Sequence, residues 1–401
     1  MKDAFIVDGI RTPIGNFRGA LSGIRADDMA AMILKALVER NPAIPAEAIA
    51  DVILGCANQA GEDNRNIARM ALLLAGIPYT VPGETVNRLC ASGMSAVINA
   101  ARAIRSGDGD VYVAGGVEQM TRGPWVISKT SQPFGQDAKM YDSSFGWRFI
   151  NPAMHEMYGT DAMGVTAENV AELYNINRED QDLFAYRSQI KAAAAQQAGR
   201  FAEEIHTIEI PNKKGAPTVI SNDEFIKPTT TTDILGKLKP AFKKDGTVTA
   251  GNASGLNDGA AAVYVVSGEA VQQYGLTPKA RIVSSAVVGV EPRIMGIGPV
   301  GATIKALAKA GLTLDEIDII ELNEAFAAQS LAVTRQLGLA DDDDRVNVNG
   351  GAIAIGHPLG MSGTRIIHSA VLELHRRNKR YALATMCIGL GQGYAVILER
   401  V

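Results

Sequence analysis

Asn87-Arg88-Leu89-Cys90-Ala91-Ser92-Gly93-Met94-Ser95 has a counterpart far down the chain, Gly356-His357-Pro358-Leu359-Gly360-Met361-Ser362-Gly363. Each places a reactive side chain three positions before Gly-Met-Ser. The match extends outward on both sides. Asp51-Val52-Ile53-Leu54 precedes the first segment and Asp318-Ile319-Ile320-Glu321 the second; Asp318 and Gly360 both lie 267 positions after Asp51 and Gly93. Helix-like Lys35-Ala36-Leu37 and Lys305-Ala306-Leu307 come ahead of these strands. Helical runs Ala96–Ile104 and Thr364–Leu374 follow Gly-Met-Ser, and lead to strands Asp110–Ala114 and Tyr381–Met386. Such alternation predicts α/β layers, and the repeat is too long for a solenoid unit. Two homologous α/β domains about a pseudo-twofold axis are expected. Cys90 and His357 then occupy the same place in the two halves and should meet in one central cleft.

The stretch between the halves has no counterpart. The expected division is a first domain of residues 1–120 with 251–274, an inserted loop domain at 121–250, and a second domain at 275–401. The insertion is rich in Lys, Thr, Pro, Asn and Gln, and an insertion of this size commonly holds ligand. Within it Arg178–Gln197 reads as a helix with Asn177 as N-cap. The acidic run Asp341–Asp344 reads as a solvated loop.

Composition narrows the partners. The chain has 401 residues, 47% of them hydrophobic, and a net charge of −4. It can bury large cores, and it has no basic field to hold nucleic acid. No apolar run reaches the ~18 residues of a membrane span, so no membrane partner is expected. The N-terminal Lys2–Asp8 reads as a strand rather than a signal peptide, and Ile397–Val401 is no peroxisomal address. Three cysteines, an odd number, argue for reduced thiols and a cytoplasmic setting.

The reactive residues suggest a chemistry. Cys90 precedes a helical run, where free N–H groups and the helix dipole favour a thiolate. His357, between Gly356 and Pro358, is held rigidly enough for a base or an oxyanion donor. Cys387 ends a strand and opens Cys387-Ile388-Gly389-Leu390-Gly391-Gln392-Gly393, whose backbone N–H groups can face a ligand. Asn323, after the strand Ile319–Leu322, can hold a water or a carbonyl at the cleft edge. Cys56, without an assigned base, reads as structural. Two thiols and a histidine suit acyl transfer through a thioester, with proton abstraction α to a second thioester carbonyl. The ligands lack zinc-site spacing, so no metal is expected.

These residues carry a resemblance. Asn87–Ser92, Asn323–Ala327, Gly356–Gly360 and Cys387–Gly393 resemble the signature segments of the thiolases, as does Gly251–Gly259. The likeness runs from Arg11-Thr12-Pro13-Ile14-Gly15 to the C-terminus. Gly55–Asn66, Gly146–Pro152 and Arg376-Arg377-Asn378 most resemble the branch that cleaves 3-oxoadipyl-CoA in aromatic-compound breakdown. The resemblance implies the thiolase fold: two βαβαβαββ domains in a five-layer αβαβα arrangement with a loop domain between them. It implies Cys90 as the acylated nucleophile and His357 as its activator. Cys387 becomes the acid/base that moves the α-proton, and Asn323 the holder of an oxyanion-site water. The N–H groups of Cys90 and Gly389 form a second oxyanion hole.

Coenzyme A is implied as co-substrate, with no permanently bound cofactor. The family pattern sets it against Met163, Phe242, Ser254, Met295, Ala325 and Phe326. Lys227 stands where the family often has an arginine, and Ala162-Met163 where many acetoacetyl-CoA enzymes have His-Met. Arg148 is the candidate cation for a distal carboxylate. A homodimer or homotetramer is implied. Straight-chain 3-oxoacyl-CoA thiolysis, 3-oxo-5,6-dehydrosuberyl-CoA thiolysis, acetyl-CoA C-acetyl transfer, a decarboxylating ketosynthase (against which the Cys387 motif argues), and a non-catalytic acyl-CoA- or lipid-binding relative are the alternatives.

Overall fold

The computed structural model describes residues 2–401. Its first half runs β1 (Ala4–Arg11), α1 (Ala26–Arg40), β2 (Asp51–Gly55), α2 (Ile67–Leu74), β3 (Gly83–Val86), α3 (Ser92–Ser106) and β4 (Val111–Gln119). The insertion carries α4 (Met163–Leu173) and α5 (Arg178–Gln197), after which β5 (Asn257–Ser267) completes the first sheet. The second half runs β6 (Ala280–Gly289), α6 (Gly298–Ala310), β7 (Ile319–Leu322), α7 (Ala327–Gln336), α8 (Leu359–Arg376), β8 (Tyr381–Ile388) and β9 (Gln392–Arg400).

The strands lie in the order β7-β8-β9-β6-β1-β5-β4-β2-β3. The two halves of that path are joined only where Phe5 and Ile6 of β1 meet Arg281 and Ala280 of β6. Side-chain alternation sorts the strands into layers. Val111, Val113 and Val117 of β4 pack outward with Met29, Ile33 and Leu37 of α1 and Ile67 of α2. Tyr112 and Ala114 of the same strand face inward, toward α3 and α8. In the second half Tyr394, Val396 and Leu398 of β9 face that same central pair of helices. Ala395 and Ile397 face outward to Ala302, Ala306 and Leu307 of α6. The result is the expected five layers, helix–sheet–helices–sheet–helix.

The halves differ in one strand. Where the first has β3, the second has only an isolated bridge between Val346 and Ile320. The Asn347 side chain replaces the missing ladder: its Oδ1 accepts from Leu322 N and its Nδ2 donates to Leu322 O, both at 2.8 Å. A backbone pair satisfied by one amide needs no further strand.

The repeated Gly-Met-Ser marks the crossing of the two central helices. A Cβ on Gly93 would lie 2.4 Å from Gly360 O, and one on Gly363 would lie 2.4 Å from Met94 N. Only glycine lets the backbones approach so closely. Cys90 and His357 are each three residues upstream of this crossing.

The inserted segment shares its core with the second half. Val170, Ile176, Phe184 and Leu235 pack with Ala328, Leu331 and Ile353. Helix α5 spans the expected residues, and Asn177 Oδ1 accepts from Asp180 N at 2.7 Å. In the acidic run Asp341 pairs with Arg335 at 2.6 Å, Asp343 with Arg345 at 2.7 Å and Asp342 with Arg187 at 3.6 Å. It remains a solvent-exposed loop, and three of its four aspartates pair with arginines of α5, α7 and the loop itself.

Candidate active site

Cys90 lies on a single 3₁₀ turn, Leu89–Ala91, that runs into α3. Side chains brace the turn. Asn87 Oδ1 accepts from Leu89 N at 2.9 Å, and Asn87 Nδ2 donates to Ala57 O at 3.1 Å. Ser92 Oγ accepts from Arg88 N at 2.9 Å and donates to Leu89 O at 2.7 Å. Leu89 is held at φ +46°, a strained conformation for a side-chain-bearing residue.

The thiol differs from the helix-start expectation. Burial raises the Cys90 pKa, and the N–H groups of Gly389 and of Cys90 itself lower it by less. The resting group is a thiol, because desolvation outweighs the helix terminus. The two N–H groups nevertheless converge on the sulfur, as donors to an oxyanion formed there would.

His357 is buried and neutral. Burial, then the charge of Arg365, pushes its pKa down to about 3. The hydrogen bonds fix its tautomer. Ser362 Oγ donates to Pro358 O at 2.9 Å and lies 2.6 Å from His357 Nδ1. The serine proton is committed, so Nδ1 carries the imidazole hydrogen and Nε2 keeps the lone pair. Asn323 Nδ2 points at Nε2 from 3.4 Å. Asn323 Oδ1 is buried with no protein partner. Asn257 Oδ1 pins the His357 backbone N–H at 2.9 Å.

Cys387 is buried at the end of β8. Burial, then the neighbouring Cys90 sulfur, raises its pKa far above the ordinary thiol range. The two thiols are therefore close enough for a charge on one to bear on the other. Cys387 packs with Ala253, Met295, Ala325 and Phe326. Ser254 N donates to Ala325 O at 3.0 Å, and Phe242 meets Phe326 edge-on at 6.2 Å between ring centres. A Cβ on Gly389 would lie 3.2 Å from Leu89 Cδ1 and 3.8 Å from Met163 Sδ. The structure thus brings Met163, Phe242, Ser254, Met295, Ala325 and Phe326 around Cys387 and Gly389.

Two expected contacts lie farther out. Lys227 Nζ is 4.7 Å from the centre of the Phe225 ring, which in turn packs on Gly255. Arg148 is half-buried and donates to Ser143 O at 3.1 Å; among the described residues it joins no ion pair. The glycine run after Cys387 also corrects an expectation. A Cβ on Gly391 would strike Val290 O at 2.2 Å, and one on Gly393 would strike Gly298 at 2.0 Å. Those two glycines serve backbone packing, and Gly389 alone of the three faces Cys90.

Sequence reasoning missed the braces: Asn87, Ser362, Asn257 and the buried Glu118. A signal for part of this was present. Cys56 lies 267 positions before Asn323, as Cys90 does before His357. No helix among the described residues is long and apolar enough to cross a membrane.

Known proteins resemble this chain along its whole length. Residues 4–269 match the thiolase N-terminal domain and residues 276–400 the thiolase C-terminal domain. The chain is 61% identical to the beta-ketoadipyl-CoA thiolase of Escherichia coli, over all of both chains. It is 60% identical, again over all of both, to the 3-oxoadipyl-CoA/3-oxo-5,6-dehydrosuberyl-CoA thiolase of Escherichia coli strain K12. Human mitochondrial 3-ketoacyl-CoA thiolase, solved in complex with CoA, superposes with a TM-score of 0.92 at 42% identity, covering 100% of this chain and 98% of that one.

Proposed function

The chain belongs to the thiolase family, and we propose that it cleaves 3-oxoadipyl-CoA with coenzyme A to give succinyl-CoA and acetyl-CoA. The observation that carries this is the Cys90 sulfur held under the Gly389 N–H with Cys387 as its neighbour, together with full-length identity to enzymes of that name.

The chemistry follows from the protonation states. His357 Nε2 takes the Cys90 proton as the sulfur attacks the 3-oxo carbon. Charge appears on the carbonyl oxygen, where the Cys90 and Gly389 N–H groups receive it. The C2–C3 bond breaks. The acetyl-CoA enolate, with its oxygen toward Asn323 and His357, takes the Cys387 proton and leaves as acetyl-CoA. Coenzyme A then gives its thiol proton to Cys387 and attacks the Cys90 thioester. The Cys90 sulfur leaves, takes back the proton held on His357, and succinyl-CoA is released. Burial of Cys387 and the imidazole, and the partial burial of Cys90, keep all three neutral between turnovers.

Arg148, unpaired and half-buried, is the proposed partner of the distal carboxylate. Met163, Phe242, Ser254, Met295, Ala325, Phe326 and Lys227 form the proposed coenzyme A surface. The proposed domain division keeps 121–250 as the insertion that carries part of that surface. We place the enzyme in the cytoplasm, where its three free thiols stay reduced. We also propose that it associates as a dimer or tetramer. β3 is an end strand of the sheet, and the hairpin strands Trp125–Ile127 and Met140–Asp142 expose Trp125, Ile127 and Met140.

A second substrate is favoured by one relative. The strain K12 enzyme is named for 3-oxo-5,6-dehydrosuberyl-CoA as well. The test is kcat/KM for 3-oxoadipyl-CoA against uncharged 3-oxohexanoyl-CoA. A preference of about 10²-fold for the acid is expected, since the uncharged analogue leaves the half-buried Arg148 without its partner. Equal rates would move the enzyme to general 3-oxoacyl-CoA degradation. Arg148→Ala should abolish the preference while leaving turnover of the uncharged chain.

A further inference from the structure

The two halves carry matched side chains at a third position. Strand β2 runs parallel to β4 with Gly55 opposite Gly116, and β7 runs parallel to β8 with Leu322 opposite Thr385. Glu118 stands two residues beyond Gly116, and Cys387 two residues beyond Thr385. The antiparallel neighbours agree: Glu118 faces Gly259 of β5, and Cys387 faces Gly393 of β9. The first half thus holds a buried carboxylate where the second holds a buried thiol.

Glu118 accepts three backbone hydrogen bonds from two distant parts of the chain. Its Oε1 takes Asn58 N at 2.9 Å; its Oε2 takes Ala57 N at 3.0 Å and Gly360 N at 2.8 Å. Gly360 is the second residue of α8, three positions after His357, so the carboxylate caps the helix that follows the histidine. Ala57 O accepts from Asn87, whose other amide atom fixes Leu89 at its strained φ beside Cys90. One side chain therefore spans from the turn of Cys90 to the helix of His357. The ionisable groups that face it are Cys56 and Asp63, on the β2–α2 connection, and Cys90. Cys56 Sγ donates to Asn58 O at 2.8 Å, and Asp63 Oδ1 accepts from Gly61 N at 2.9 Å. Burial is what raises Glu118 itself, to about 7.

We propose that Glu118 is a positioning residue that holds the Cys90 turn and the His357 helix in register through backbone N–H groups on both sides. It touches neither substrate nor the reacting atoms. This rests on Cys90 and His357 being the nucleophile and its base. A glutamine has the same shape but only one acceptor oxygen. Its NH₂ must face either Asn58 N–H or the Ala57 and Gly360 pair, so at least one bond is lost.

The test is Glu118→Gln, measured for thiolysis and for Cys90 alkylation by iodoacetamide as a function of pH, with the Cys90 peptide followed by mass spectrometry. Turnover should fall by about tenfold to a hundredfold, the scale for a small misplacement of reacting groups. The alkylation midpoint should move to lower pH, because burial still raises the Cys90 pKa but the Glu118 charge that adds to it is gone. Turnover within twofold of the parent overturns the proposal. A fall in turnover with an unmoved midpoint also overturns it, since general loosening would do that. If Glu118→Gln does not fold, Glu118→Asp keeps the charge and shortens the reach. Its midpoint should stay and its turnover fall, and full turnover there overturns the proposal. Cys90→Ser is the control for the underlying reading: an active Cys90→Ser removes the mechanism, whereas an inert one beside a fully active Glu118→Gln removes this inference alone.

Discussion

The first half of the molecule and the second place side chains at the same three points and give them opposite chemistry. Cys56 corresponds to Asn323, Cys90 to His357 and Glu118 to Cys387. In the second half burial keeps both titratable members neutral: His357 is pushed down to about 3 and Cys387 far up. In the first half burial raises Cys90 and Glu118, but Glu118 is surrounded by three N–H donors that favour its charged form. A duplicated scaffold supplies coincident geometry, and division of labour then rests on what each side chain can hold: a nucleophile with an anionic brace on one side, a base and an acid on the other.

The sharpest break of this comparison is at Cys90. Cys90→Ser keeps the shape and removes a group that forms thiolate readily. Thiolysis should fall by about 10³-fold or more, because the alkoxide is far harder to reach with a neutral imidazole. Steady-state turnover and acyl-enzyme mass after mixing with 3-oxoacyl-CoA check this. A variant within tenfold of the parent would remove the nucleophile from the first half altogether.

His357→Ala should cost about 10²- to 10⁴-fold in kcat, the range for a positioned general base. It also carries a stability signature at acid pH, where Cys90 carries none. His357 has an ordinary value of 6.5 and a folded value of about 3. Below pH 6.5 the unfolded chain binds a proton that the folded chain refuses, so stability falls as pH drops from about 6.5 toward 3. Denaturant unfolding across that window should show a shallower fall in His357→Ala than in the parent. Equal slopes would mean that the imidazole is accessible to solvent protons, and that the two halves are less different than their burial implies.

Much of this comparison was legible in the sequence, for a physical reason. The match at Gly93 and Gly360 survives because two helices cross there at backbone contact, and no other residue fits. That constraint made the layers and the equivalence of Cys90 with His357 legible, and the helix Arg178–Gln197 was legible separately through its local Asn177 cap. What stayed hidden depends on long-range contact. The Glu118 carboxylate finds its donors 60, 61 and 242 positions away. Ser362 sets the His357 tautomer only because the helix turn carries it back onto Nδ1. The missing strand opposite β3 depends on one amide, Asn347, that local pattern gives no cause to single out. The raised Cys90 pKa is not legible because a helix terminus is visible in sequence and desolvation is not.

The smallest effect is expected at Cys56, the counterpart of Asn323. Its burial, with Glu118 and Asp63 adding, raises its pKa well above that of an ordinary thiol. Its Sγ donates to Asn58 O, a bond that a serine hydroxyl can also make. The pair it forms with Asn323 is one of position only. Asn323 aims its amide at His357, whereas Cys56 aims its proton at the backbone of its own connection. Cys56→Ser should therefore leave turnover within about twofold and cost about 1 kcal/mol of stability through lost sulfur packing. Steady-state kinetics and denaturant unfolding separate the two quantities. A tenfold loss of kcat with the fold intact would give Cys56 a part in the chemistry, and the first half would then contribute more than a nucleophile and its brace.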